Sequence, residues 1–151
     1  MGAIVVKDIP DQLALTATKR VSLATVAEGM HEAFGAIMAQ AGATGAQFVG
    51  PPFCLYPGEM GEEFDMVVCL PVAPGAAGGG GVELETVPGG RVASTVHEGP
   101  YSELGRTYGA LQEWMAANGH TPSGPVREVY VTDPQTVPAE QLRTEIDWPV
   151  A

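Results

Sequence analysis

Residues 9–72 and 87–150 of this chain carry the same landmarks in the same order, and that duplication limits the available folds more than any other feature. The first copy runs Ile9-Pro10, LALTATK, a segment ending AQAG, VGPPFCLYP and FDMVVCLPV. The second runs Val87-Pro88, RVASTVH, a segment ending AANG, SGPVREVYVTDP and LRTEIDWPV. Pro10 matches Pro88, Gly42 matches Gly119, Gly50-Pro51 matches Gly124-Pro125, Tyr56 matches Tyr130, and Pro71-Val72 matches Pro149-Val150. With only two copies this is a duplicated unit and not a solenoid. Between them Pro74–Gly81, PGAAGGGG, reads as a flexible connector. It lacks the Lys–Ser/Thr of a phosphate-binding loop. The expected organisation is one domain over 1–151, with repeats at about 1–73 and 82–151 and the linker at 74–81.

Each copy reads strand, helix, strand, strand. Tyr101, Leu104, Tyr108, Leu111 and Met115 recur at helical spacing, and Gly119 offers the left-handed stop. Val26, Met30, Phe34, Ile37 and Ala41 form the corresponding stripe, closed by Gly42. In the last strand Leu142, Thr144, Ile146 and Trp148 alternate with Arg143, Glu145 and Asp147. Phe64, Met66, Val68 and Leu70 give the inner face of the first copy. That pattern predicts one face covered by helices and one face wet. The expected fold is α+β: tandem β-α-β-β units forming an antiparallel sheet, two helices on one face, and a central ligand groove between them.

Strand parity sets the chemistry expected in that groove. In GPVREVY, Val126, Glu128 and Tyr130 share a face. Tyr130 on the helix side brings Glu128 with it. Cys54 and Tyr56 hold the matching positions in the first copy. A carboxylate among aromatic rings needs a partner, because desolvation disfavours its charge. A tyrosine hydroxyl supplies part of that compensation, and a cationic aromatic ligand supplies more, each cation–π contact being worth roughly 0.5–2 kcal/mol. Water at a sheet edge, or an ion pair with Arg91, Arg106 or Arg143, would account for Glu128 without any ligand. Tyr101 and Tyr108 fit core packing as well as a groove wall, and Trp114 fits closure of the core beside Met115. Phe53 and Thr144 are groove candidates by strand position alone. His97, in HEGPY, reads as a strand-end or helix-entry residue, since adjacent Glu98 points the opposite way and cannot orient it as a base.

Composition narrows the partners. The formal charge is −11, from 18 acidic and 7 basic residues, with no Lys/Arg cluster to meet a phosphate backbone. No direct nucleic-acid binding is expected. No run is apolar and long enough to span a bilayer, and MGAIVVKDIP has no secretory signature. A cytoplasmic location is the expectation. Cys54 and Cys69 have neither CxxC spacing nor a histidine pair, so no metal, zinc or redox site, and no cofactor, is expected.

HEGPYSELGRTYGALQEWMAANG, GPVREVYVTDP and LRTEIDWPV together resemble the GyrI-like effector-binding domain family, the drug-binding module of several bacterial multidrug-sensing transcription regulators. The match covers nearly all of the second half, and the first half follows through the repeat. The resemblance implies a ligand cleft between the halves, with Glu128 at the acidic position that contacts cationic drugs and Tyr130 at a cleft position two residues on. It carries over more loosely to Tyr56, Phe53, Tyr101 and Tyr108. Regulator members place a helix-turn-helix ahead of this domain; here strand one begins almost at Met1, so the chain resembles stand-alone members. Those imply three functions. The first is binding of an apolar, cationic or electrophilic small molecule such as a drug or toxin. The second is hydrolysis of a strained, cyclopropane-type xenobiotic in an aromatic cage, with Glu128 or Tyr130 as catalytic candidates. The third is inhibition of DNA gyrase through protein contact, which would make gyrase or a regulator the partner.

Overall fold

The computed structural model describes residues 2–58, 61–133 and 135–151. Among these the chain is α+β, with eight strands and two α-helices: β1 Val5–Ile9, β2 Gln12–Ser22, α1 Val26–Thr44, β3 Phe53–Tyr56, β4 Glu63–Pro71, β5 Glu83–Val87, β6 Gly90–Glu98, α2 Leu104–Ala117, β7 Val126–Tyr130 and β8 Arg143–Pro149. Two compact units emerge, one of residues 10–88 and one of residues 1–9 with 89–151. β1, at the start of the first repeat, pairs with β6, and β5, at the start of the second, pairs with β2.

In the unit of residues 10–88 the antiparallel order is β3-β4-β2-β5. β2 and β4 share a nine-pair register from Ala14↔Pro71 to Ser22↔Glu63. α1 packs on the face that carries Val21 and Met66. Its buried positions are Gly29, Ala33, Ile37 and Ala41. The expected stripe is thus rotated: Ile37 and Ala41 hold, but small residues replace Met30 and Phe34 at the contact. The reason is close approach. A Cβ built on Gly29 would lie 2.5 Å from Val21 Cγ1, so only a residue without a side chain lets the helix sit this near the sheet. Gly29→Ala is expected to destabilise by about 1–2 kcal/mol, the overpacking cost outweighing Ala's better helix propensity. Gly35→Ala, at an exposed helical position with nothing within 4 Å of the added Cβ, is expected to stabilise by up to about 1 kcal/mol. Urea unfolding of both variants checks the pair.

The helix end also differs from expectation. Gly42 lies inside α1, and the left-handed cap is Gly45, φ 71°, whose N–H donates to the Ala41 carbonyl. The 74–81 segment makes hydrogen bonds of its own and with α1. Gly79 and Val82 exchange backbone hydrogen bonds at 2.7 and 3.1 Å, and Gln40 Nε2 donates to the Ala77 carbonyl at 3.0 Å. A Cβ on Gly78 would lie 2.6 Å from the Val82 carbonyl oxygen, so glycine here permits a tight turn rather than flexibility.

In the other unit the antiparallel order is β1-β6-β8-β7. Ala93, Leu111, Met115, Ile146 and Val150 make its core, with Leu104, Tyr108, Trp114, Val126 and Trp148 packed against it. α2 closes as expected: Gly119 takes φ 75° and the His120 N–H reaches back to the Met115 carbonyl at 2.9 Å. The expectation of a wet opposite face fails. Asp147 is only 2% exposed, and Ser94 and Arg127 on that face are buried too. Strand alternation identifies which residues share a face; it does not say whether that face is covered.

Candidate functional site

β7 is a short strand whose register on β8 fixes the site: Glu128 lies opposite Ile146 and Tyr130 opposite Thr144. Ile146 belongs to the core beneath α2, so Glu128 and Tyr130 share the α2-facing side. Leu111 and Met115 anchor α2 on that core, and Tyr108, one turn before Leu111, therefore faces β7. The Tyr108 hydroxyl donates a short hydrogen bond to Glu128 Oε2. The Tyr130 hydroxyl donates to Glu128 Oε1 at 2.9 Å. One phenol thus serves each carboxylate oxygen.

Glu128 is 7% exposed. Of the arginines considered as its partners, Arg143 Nε is 3.5 Å from Glu98 and Arg106 is 4.0 Å from Glu103. Two phenol donors thus compensate the buried acid.

Aromatic rings build the walls. Tyr101 meets Tyr130 edge-on, with centroids 5.9 Å apart and planes at 71°. Tyr108 meets Trp148 at the same separation and 81°. Tyr101 sits on a single 3-10 turn, Tyr101–Glu103, ahead of α2. It is 39% exposed. Burial pushes its phenol above the ordinary value of 10.0, and the negative charges of Asp133 and Glu128 push it the same way. The Tyr101 ring thus stays neutral in a negative local field. Trp148 could have been found in the sequence, since it shares the Leu142–Thr144–Ile146 face. Asp133 gave no sequence signal, because a loop acid after a strand is ordinary.

His97 secures the approach to the helix. Its Nδ1 is 2.6 Å from Thr107 Oγ1 and its Nε2 is 3.1 Å from the Pro100 carbonyl. With Nε2–H donating to that carbonyl, Nδ1 accepts from the Thr107 hydroxyl, and both ring nitrogens are spent on positioning the segment that presents Tyr101. His97→Ala is expected to cost about 1–3 kcal/mol, since it orphans the buried Thr107 hydroxyl and opens a void. Thermal unfolding checks it.

The remaining candidates divide. Thr144 is fully buried on the same face as Tyr130. Trp114 stacks on His120, centroids 5.4 Å apart and planes at 10°, and packs on the core rather than on the Glu128 group. Tyr56 and Phe53 lie on β3 in the other unit. Tyr56 is half-buried and tilted against Phe64 at 6.0 Å. Phe53 alternates with Cys54 and Tyr56, so it points to the other face of its sheet, where it is 3% exposed and opposite Cys69. Cys54 and Cys69 are buried, form no disulfide, and lie on opposite faces of adjacent strands. Among the described residues no three His, Cys, Asp or Glu groups converge to hold a metal ion, and no helix is long and apolar enough to cross a membrane.

The model of the GyrI-like small molecule binding domain family matches residues 3–151, and the chain belongs to that family. Solved structures agree on the fold. The crystal structure of the EcmrR C-terminal domain superposes with a TM-score of 0.89 at 22% identity, covering 100% of this chain and 98% of that one. A hydrolase encoded by lin2189 from Listeria innocua gives 0.73 at 15% identity, covering 98% and 91%. The structure of SAV2435 bound to tetraphenylphosphonium gives 0.71 at 11% identity, covering 99% and 94%. No curated protein matches the chain.

Proposed function

We propose that this domain binds an apolar organic cation, with Glu128 supplying the charge and Tyr108, Tyr130 and Tyr101 the aromatic walls. The observation that carries the reading is a buried Glu128 carboxylate held by two phenol hydroxyls among aromatic rings. A delocalised cation recovers the electrostatic cost of burying that charge without needing to donate hydrogen bonds, and its rims meet ring faces. SAV2435, of the same fold, was captured with tetraphenylphosphonium, which supports that probe as a starting point. The half-exposed Tyr101 is the wall such a ligand meets first.

Isothermal titration with tetraphenylphosphonium and with neutral triphenylphosphine oxide tests the proposal. Saturable one-to-one binding of the cation, at least tenfold tighter than the neutral compound, is expected. Equal affinity for the two would remove the charge role.

A second reading, hydrolysis of an electrophilic xenobiotic, draws on the same carboxylate–phenol group, which can hold a water between acceptor and donor. It predicts product in molar excess over protein. Stoichiometric sequestration of an electrophilic substrate, with no release of product, excludes it.

A further inference from the structure

Thr144 is the odd member of this group. Its side chain is fully buried, and Oγ1 has no hydrogen-bond partner among the described residues. It stands between His97 on β6 and Tyr130 on β7, directly opposite each in register. Neither neighbour serves it: the His97 nitrogens are engaged with Thr107 and the Pro100 carbonyl, and the Tyr130 hydroxyl donates to Glu128. Leu142 and Ile146, flanking it on the same face, offer only hydrocarbon. A buried hydroxyl left unpaired costs about 1–3 kcal/mol, and valine would fill the same volume without that cost. An unpaired donor is the more expensive half of the loss, because stranded lone pairs are tolerated better than stranded protons.

We infer that the Thr144 hydroxyl is a ligand contact, so that the molecule taken by this site carries a hydrogen-bond acceptor oxygen as well as a positive centre. The inference rests on the cation reading of Glu128 and adds a second recognition element to it. The site's two polar groups are complementary in kind: Glu128 accepts and Thr144 donates. They stand diagonally across β7 and β8, a separation on the order of 7–8 Å between backbone positions. A ketone or ether oxygen several bonds from the cationic centre matches that spacing. A cation made only of hydrocarbon leaves Thr144 unpaired.

Two probes differing in one oxygen test this: (4-oxopentyl)triphenylphosphonium and pentyltriphenylphosphonium, titrated into wild type and into Thr144→Val. Wild type is expected to bind the ketone about three- to tenfold more tightly, the worth of one hydrogen bond. Thr144→Val is expected to bind both equally and to melt about 2–6 °C higher than wild type, having lost an unpaired buried hydroxyl. Equal affinity of wild type for the two probes overturns the inference and leaves the cation site standing. A lower melting temperature in Thr144→Val also overturns it, because the hydroxyl would then be satisfied in the free protein. Failure of wild type to bind either phosphonium removes the cation reading, and this inference with it.

Discussion

Glu128→Gln is expected to weaken binding of tetraphenylphosphonium by about 10- to 100-fold, or roughly 1.4–2.7 kcal/mol, while neutral aromatic compounds change by less than about threefold. The side chain keeps its shape, and the amide oxygen still accepts from one phenol. The other phenol turns to accept from the amide N–H₂, so the tyrosine cage survives. What disappears is the net charge at a position only 7% exposed, where little solvent screens it. Because both phenols still find hydrogen-bond partners on the amide, the melting temperature of the free protein is expected to hold. Lost affinity with retained stability separates a binding carboxylate from a structural one. A parallel fall in both would assign Glu128 to the fold.

The second large effect is a stability that falls as pH rises, and it lies on the opposite face of the same sheet. Burial raises the Asp147 carboxyl from its ordinary 3.8 to about 7. Neighbouring Glu145 adds to the rise through a hydrogen bond and its charge, while Ser94 and Lys7 oppose it. Ser94 Oγ donates to Asp147 Oδ1 at 2.6 Å, and Lys7 Nζ on β1 lies 3.2 Å from Glu145, two residues before Asp147 on β8. Buried Arg127 stands opposite Asp147 in register on β7.

The folded state therefore holds a proton on Asp147 that the unfolded chain releases near pH 4. This contribution is fully present below the unfolded value, declines as pH rises above it, and is gone once pH passes about 7. Its size is on the order of 3 kcal/mol. Asp147→Asn keeps the hydrogen bond from Ser94 and has nothing to titrate. The variant is expected to be about as stable as wild type at pH 4.5 and more stable at pH 8, by about 6–12 °C in melting temperature. Wild-type and variant curves that stay parallel from pH 4.5 to 8 would contradict this.

The sequence disclosed the helix-facing acid because parity is local. Glu128 and Tyr130 are two apart on one strand, so placing either places both, and Tyr108 followed from helical spacing around Leu111. The repeat disclosed the strand–helix–strand–strand order for the same reason. What stayed hidden depends on partners distant in sequence. β1 is a short VVKDI whose pairing partner, β6, starts some eighty residues later, and β5 is an ELETV edge with too few apolar positions to alternate. Asp147 sits in the alternation of a solvent-facing acid, and only the packing of the folded chain reveals that it is buried. Gly42 and Gly45 are equally good stops on paper. The helix runs to the second because Ala41 and Thr44 continue its turn.

A crystal structure with tetraphenylphosphonium bound tests the central claim most directly. The phosphorus is expected within about 4–6 Å of the Glu128 carboxylate, with Tyr130 and Tyr108 against the phenyl rings and Tyr101 displaced from its contact with Tyr130. A cation bound elsewhere, with Glu128 still closed beneath both tyrosine hydroxyls, would contradict it.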